Sequence, residues 1–191
     1  MYFFTHLYMS DILYQHFKDI IHLNQAAFSY GNIKPDLPWN KQGHHTLENS
    51  LPSVLRLKRS LEKDDLSLKQ LSTSLGELCH YLCDFFCYYH LNEEIHTRHL
   101  QHAIYELQQH VRLFQTHYNK RYKIRVKAHP YKNDIASIIL YLQTEYLAHP
   151  PSMIKDIDYA ISAAVLVGEA IIKNIKCPTV FQEENQVFNL S

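Results

Sequence analysis

Residues 68–85 read LKQLSTSLGELCHYLCDF, the clearest helical pattern in the chain. Six apolar residues in it recur at the spacing of one face of an α-helix: Leu68, Leu71, Leu75, Leu78, Leu82 and Phe85. His80 and Asp84 are four residues apart, so their side chains lie one turn apart on one side of the same helix. The stretch therefore predicts a helix that packs through an apolar face and carries an imidazole beside a carboxylate.

Five other segments show the same helical period of apolar residues: 9–21, 47–55, 100–114, 135–142 and 157–175. The last is apolar on several sides, so we expect a central, buried helix there. Only residues 122–126 alternate weakly in the manner of a strand. Because 191 residues are about the size of one domain, we predict a single all-α domain over residues 1–191, built as a multi-helix bundle.

The amino-acid composition excludes some classes of function and favours others. Lys plus Arg and Asp plus Glu number 19 each, so the formal net charge is zero. The four glycines leave no phosphate-binding loop of the P-loop or dinucleotide type. The 14 histidines favour a metal or proton-transfer site, because imidazole binds metals and exchanges protons near neutral pH.

The sequence also predicts a cytoplasmic protein. No segment reaches the roughly 18 consecutive apolar residues of a transmembrane helix, and the first residues resemble no signal peptide. Cys79, Cys83 and Cys87 recur at every fourth residue, which suits one side of a helix with reduced thiols better than a disulfide framework. We expect small buried residues there, with thiolate ligation of a metal as the alternative.

Residues 30–45, between the first two predicted helices, form a long connection. They include the only tryptophan, Trp39, and three potential metal ligands, Asp36, His44 and His45. A structureless connection of this length in a small helical protein usually has a function. We therefore expect it to contribute to a site.

Histidines and carboxylates are paired on two predicted helices. His80 and Asp84 are four residues apart, as are His102 and Glu106, and His90 follows Asp84 by six residues. Nitrogen and carboxylate ligands in this combination suit Zn²⁺. A histidine-rich chain also produces such pairs by chance, but a carboxylate among the apolar neighbours of Asp84 is costly to bury without a partner. The pairs predict a metal site between helices.

The order of these residues resembles the zinc-dependent phospholipase C family, which is allied in structure to the zinc-dependent single-strand nucleases. The resemblance covers about the first 110 residues. It consists of Thr5-His6-Leu7, Tyr30-Gly31-Asn32-Ile33-Lys34-Pro35-Asp36, His45 in HTLENS, His80-x3-Asp84-x5-His90 and His102-x3-Glu106. The rest of the chain shows only two helices that would complete a bundle.

The resemblance implies two or three zinc ions. The implied ligands are His45, His80 and Asp84 for the first, His90, His102 and Glu106 for the second, and His6 and Asp84 for the third. Asp36 would be a further ligand of the first zinc or the general base. In the family an N-terminal tryptophan chelates the third zinc through its amine and carbonyl; here the amine of Met1 would take that place. His45 is preferred to His44 because the residues after it fit the family better.

The resemblance also implies the reaction, which is hydrolysis of a phosphoester, most closely of a phospholipid to diacylglycerol and a phosphorylated head group. Clustered zinc ions bind phosphodiester oxygens and activate water. Five cations have two interpretations, a membrane-surface contact or a solvated connection between helices: Lys120, Arg121, Lys123, Arg125 and Lys127. No obligate protein partner is expected.

Three other interpretations stay open. The same zinc cluster would serve a single-strand nuclease or phosphatase. A non-catalytic helical protein would hold metals only for structure or binding. A di-iron bundle would use Glu77-x-x-His80 and Glu93-x-x-His96, although these two motifs are close together in the chain.

Overall fold

The computed structural model describes residues 1–39, 45–63, 65–91, 93–118, 126–131 and 134–175. These ranges contain helices α1 (Phe3–Phe17), α2 (Gln25–Ile33), α3 (Leu47–Leu61), α4 (Leu68–Asp84), α5 (Glu93–His96), α6 (His99–Tyr118), α7 (Ile135–Leu147) and α8 (Met153–Ile172). Two 3-10 turns, Lys34–Asp36 and Tyr88–His90, follow α2 and α4. No strand occurs in the described ranges, so the predicted all-α bundle is confirmed. The single domain over 1–191 stays a prediction.

All six helices predicted from the apolar period are present, with shifted ends. The first ends at Phe17 and leaves Ile20 exposed beyond it. The last begins earlier than predicted, at Met153, because the Ser152 side chain accepts a hydrogen bond from the backbone N–H of Lys155. Ser67 and Gln70 form a reciprocal capping box that starts α4. The capping residues therefore define helix ends that the apolar period does not predict.

Helix α2 was not predicted, and it corrects the interpretation of residues 30–45. The first part of that supposed connection is the end of α2 and the Lys34–Asp36 turn, while residues 40–44 lie outside the described part. Asn24 caps α2 by accepting from the N–H of Ala27. Gly31 and Asn32 occupy buried positions of α2 where a leucine would have revealed the helical period. The apolar pattern was therefore too weak to predict α2.

Gly31 and Gly76 let α2 and α4 approach closely. A Cβ on Gly31 would collide with the backbone oxygen of Thr73, and one on Gly76 would collide with that of Phe28. The collisions involve backbone atoms, which cannot turn aside as a flexible side chain would. The close approach brings the turn after α2, and Asp36 with it, toward the last turns of α4.

We expect Gly31→Ala to destabilise the protein by about 1–3 kcal/mol, because overpacking a tight contact forces the two helices apart. Thermal unfolding followed by circular dichroism measures the change. Gln25→Ala, at an exposed position of the same helix, should leave the melting temperature nearly unchanged. Equal melting temperatures for Gly31→Ala and the wild type would show that the contact tolerates a methyl group.

The core is organised around α4 and α8. Helix α4 packs against α2, α3 and α8, and α8 also packs against α1, α6 and α7. Most of α8 is buried, including Ala163, Ala164, Val165 and Val167. The predicted central, buried helix is confirmed.

Helix α6 turns its polar face inward. His102, Gln109 and Leu113 are buried, whereas the apolar residues that mark the helix in the sequence are 41–75 % exposed: Leu100, Ile104, Leu107, Val111 and Phe114. We call these five residues the α6 apolar stripe. The apolar period thus located the helix correctly, but it does not mark the face that packs against the core.

None of the described helices is both long and apolar enough to span a membrane. The cytoplasmic location stays a prediction. Of the five cations considered for membrane contact, Lys120, Arg121, Lys123 and Arg125 lie outside the described residues. The fifth, Lys127, places its Nζ 4.6 Å from the centre of the Tyr159 ring, so it packs against the protein itself.

Candidate metal centre

The structure brings all eight predicted ligands together around Asp84. They come from separate parts of the chain: His6 from α1, Asp36 from the turn after α2, His45 from the start of α3, His80 and Asp84 from α4, His90 from the second 3-10 turn, and His102 and Glu106 from α6. All except Asp36 and Glu106 are buried. Buried imidazoles and carboxylates at such density require partners.

Asp84 is the centre of the cluster. Its Oδ1 lies 3.1 Å from Nε2 of His6. Its Oδ2 lies 3.0 Å from Nδ1 of His45 and 3.3 Å from Nε2 of His80. The two carboxylate oxygens therefore face different imidazoles, an arrangement that allows one carboxylate to serve two metal ions.

One group of donor atoms consists of Asp36, His45, His80 and Asp84, whose ligand atoms all lie within 4.8 Å of one another. The Nδ1–H of His80 donates to the backbone oxygen of Asn32 at 2.8 Å. This bond leaves the lone pair of His80 Nε2 directed into the group, 2.9 Å from Nδ1 of His45. Two imidazole nitrogens and two carboxylates are a donor set that fits zinc.

A second group of donor atoms lies beside the first. Oε1 of Glu106 is 3.0 Å from Nε2 of His90 and 2.8 Å from Nε2 of His102. Nδ1 of His90 is 3.4 Å from Oδ2 of Asp84, so His90 links the two groups. The ring of Tyr89 stacks on that of His102, with centroids 5.1 Å apart. Two imidazoles and a carboxylate again suit zinc.

The amine of Met1 also enters the cluster. It lies 2.5 Å from Oδ1 of Asp84 and 3.0 Å from Oε1 of Glu106. Nε2 of His90 is 3.0 Å away. The amine occupies the side of Asp84 that His6 also faces, as the resemblance implied for a third zinc. Its role as a ligand stays a prediction.

The protonation states of His6 and Asp84 favour metal binding. Burial and the nearby His80 lower the pKa of His6 to about 4, so His6 is neutral near pH 7. Burial opposes ionisation of Asp84, but His90, the Met1 amine and the other histidines around it hold the pKa of its carboxyl well below its ordinary value. Metals bind neutral imidazole and ionised carboxylate, so these two groups need no proton exchange before binding. At His80 burial opposes protonation, but the Asp84 and Asp36 carboxylates raise its pKa, so a proton competes with a metal there.

The structure also shows where His45, Cys87 and Glu77 lie. His45 lies in the cluster, and His44 lies outside the described residues. The predicted buried cysteines are buried, and Cys87 has its sulfur within 4.8 Å of donor atoms of His90 and Glu106. The three-residue interval between Cys87 and His90, which did not enter the predicted ligand set, is the signal that could have indicated this proximity. The carboxylate of Glu77, part of the di-iron interpretation, accepts from Nζ of Lys34 at 2.6 Å.

Comparison with models of known protein families found one match. A family described as "Zinc dependent phospholipase C" matches residues 5–152, more than three quarters of the chain and all eight candidate ligands. Neither the comparison with curated proteins nor that with solved structures found a match. The cofactor of the family is zinc. Two sets of side chains have donor atoms close enough together to hold a metal ion: Asp36, His45, His80 and Asp84 form one, and Cys87, His90 and Glu106 form the other. The chain therefore belongs to the zinc-dependent phospholipase C family.

Proposed function

We propose that the protein is a zinc-dependent phosphodiesterase that hydrolyses phospholipids to diacylglycerol and a phosphorylated head group. The observation that carries this proposal is the convergence of eight candidate ligands around Asp84 in a member of the zinc-dependent phospholipase C family. A surface ion pair would explain a single imidazole–carboxylate pair, but not a largely buried cluster of this size.

The proposed ligand sets follow the observed groups. His45, His80 and Asp84 would hold one zinc, with Asp36 beside it, and His90, His102 and Glu106 would hold a second. His6, Asp84 and the Met1 amine would hold a third. Asp84 has two oxygens facing different neighbours, which supports a bridging role for this carboxylate.

Asp36 is the best-placed general base. Its side chain keeps 24 % exposure, whereas those of His80 and Asp84 are fully buried. Its oxygens therefore remain accessible to a water molecule and can accept the proton which that water loses on attacking phosphorus. Zinc supplies the Lewis acidity, stabilising charge on the phosphoryl oxygens and on the leaving alcohol.

The α6 apolar stripe supports a lipid substrate. It lies on the side of α6 opposite His102 and Glu106, and a groove of about 720 Å³ between α6 and the start of α8 extends it with Ile154 and Met153. A large exposed apolar surface indicates contact with a membrane or another protein. Because the family acts on phospholipids, we propose that the stripe contacts the lipid surface.

The variant Leu107→Asp/Val111→Asp is expected to lower hydrolysis of phospholipid vesicles by at least about tenfold, since burying such a side chain is worth about 1.5–3 kcal/mol. Hydrolysis of a short-chain, monomeric phospholipid should be unchanged, because no surface is needed there. Gln25→Asp/Gln101→Asp, which adds the same charge at exposed positions outside the stripe and the groove, is the control. Equal loss on both substrates, or a change in sedimenting mass, would assign the stripe to protein contact instead.

The function itself is tested with the zinc-loaded protein on three substrates: phosphatidylcholine vesicles, single-stranded DNA and a simple phosphodiester. We expect diacylglycerol release that a chelator abolishes and added zinc restores. Cleavage of DNA without lipid hydrolysis would identify a nuclease. Zinc-replete protein that is inert on all three would identify a binding protein, and iron with an oxo-bridge absorption band would identify a di-iron protein.

A further inference from the structure

Asp156 on α8 is a fully buried carboxylate outside the cluster of eight ligands. Its Oδ1 accepts from the hydroxyl of Tyr146 at 2.7 Å. Its Oδ2 accepts from the backbone N–H of Tyr88 at 3.0 Å and from the hydroxyl of Tyr105 at 2.8 Å. The amide of Gln109 on α6 adds a longer contact to Oδ2 at 3.5 Å. All four donors are neutral, and Lys155 is the cation that acts on the carboxylate electrostatically.

The partners of Oδ2 belong to the two elements that carry the second group of ligands. Tyr88 begins the 3-10 turn that ends at His90, and Tyr105 directly precedes Glu106 on α6. One oxygen atom thus ties the His90 turn to the Glu106 helix, and α8 provides the anchor. Oδ1, in contrast, contacts Tyr146 on α7, which carries no ligand.

We propose that Asp156 is a positioning residue for the second zinc: its Oδ2 holds the Tyr88–His90 turn and α6 at the separation at which His90 and Glu106 share one ion. The proposal rests on the proposed function, since it requires the second group to bind zinc. Asp156 lies beyond residues 5–152, the part of the chain that the family match covers.

The first test is Asp156→Ala, with zinc content measured by elemental analysis against increasing chelator. Supports of metal ligands typically contribute about 10- to 100-fold in affinity, so we expect the second zinc to bind that much more weakly while the first is unchanged. Glu106→Gln identifies the second zinc, because it should lose the same equivalent. Wild-type affinity in Asp156→Ala would overturn the proposal, as would equal weakening of both ions.

A rescue variant separates positioning from general stability. Proline has no N–H and presets the backbone for the first position of a helical turn. Cys87 already has the extended backbone (φ −98°, ψ 127°) that a residue before proline adopts. Asp156→Ala/Tyr88→Pro should therefore recover second-zinc affinity, and Asp156→Ala/Tyr88→Ala should not. Failure of the proline variant to recover it would overturn the role of the turn.

A matched pair covers the case in which Asp156→Ala does not fold. Tyr105→Phe and Tyr146→Phe each remove one hydroxyl from Asp156, the first at Oδ2 and the second at Oδ1. Only Tyr105→Phe should weaken the second zinc; equal effects would contradict the proposal. The wild type gives the separate check, because fewer than two bound zinc ions there would refute the proposed function and not the role of Asp156 alone.

Discussion

Asp84→Asn is expected to abolish activity and remove most of the bound zinc. The amide replaces one of two carboxylate oxygens that face His6 on one side and His45 and His80 on the other. It also removes the negative charge that balances the cations proposed for both sides. Losing a buried charged partner costs about 3–5 kcal/mol, so we expect kcat/KM to fall by roughly 150- to 5,000-fold.

The measurement is elemental analysis of the purified variant together with phospholipid hydrolysis. Asp65→Asn, the same chemical change at an exposed position, should retain zinc and activity. A circular dichroism spectrum like that of the wild type would show that Asp84→Asn is folded. Full zinc content in folded Asp84→Asn would contradict the assignment of the cluster as the metal centre.

Asp36→Asn is expected to have a different effect, a loss of turnover with zinc retained. Nδ1 of His45 and Nε2 of His80 lie 3.7 Å and 3.6 Å from Oδ1 of Asp36, farther than they lie from Oδ2 of Asp84. The Asp36 carboxylate therefore makes longer contacts with these two imidazoles than the Asp84 carboxylate does, which suits a group that accepts a proton. Loss of a general base typically lowers kcat by about 10²- to 10⁴-fold.

The comparison of the two variants separates base from ligand. For Asp36→Asn we expect kcat to fall, KM to change little and the zinc content to stay near that of the wild type. If Asp36→Asn loses zinc as completely as Asp84→Asn, Asp36 is a ligand first, and another group must take the proton. Elemental analysis beside steady-state kinetics decides between these roles.

Much of the metal centre was predictable from spacing. The interval of four residues between His80 and Asp84, and again between His102 and Glu106, places each pair on one side of a helix whatever the fold. Three other candidate ligands have no such local signal: His6 on α1, Asp36 in the turn after α2 and His45 just before α3. Their assignment depended on the resemblance to a family, and their proximity is a property of the folded chain.

The helices could be predicted only as far as their buried residues are apolar. Helix α2 was missed because Gly31 and Asn32 hold positions of its packed face. The apolar period of α6 does not mark its buried face, because the buried residues His102 and Gln109 are polar and contact Glu106 and Asp156. An apolar period reports the hydrophobic contribution to packing. It does not reveal a helix face whose buried residues are polar and form hydrogen bonds.

Helical periodicity predicts the all-α class, six of the helices and the two imidazole–carboxylate pairs, because it is a local property of the chain. The packing of the helices adds that the two oxygens of Asp84 face His6 on one side and His45 and His80 on the other. It also turns the α6 apolar stripe outward and brings Asp156 to Tyr88 across 68 residues. These features depend on which helices pack side by side. That choice follows from close contacts such as Gly31 against α4 and from the pairing of buried polar groups, which no local pattern reveals.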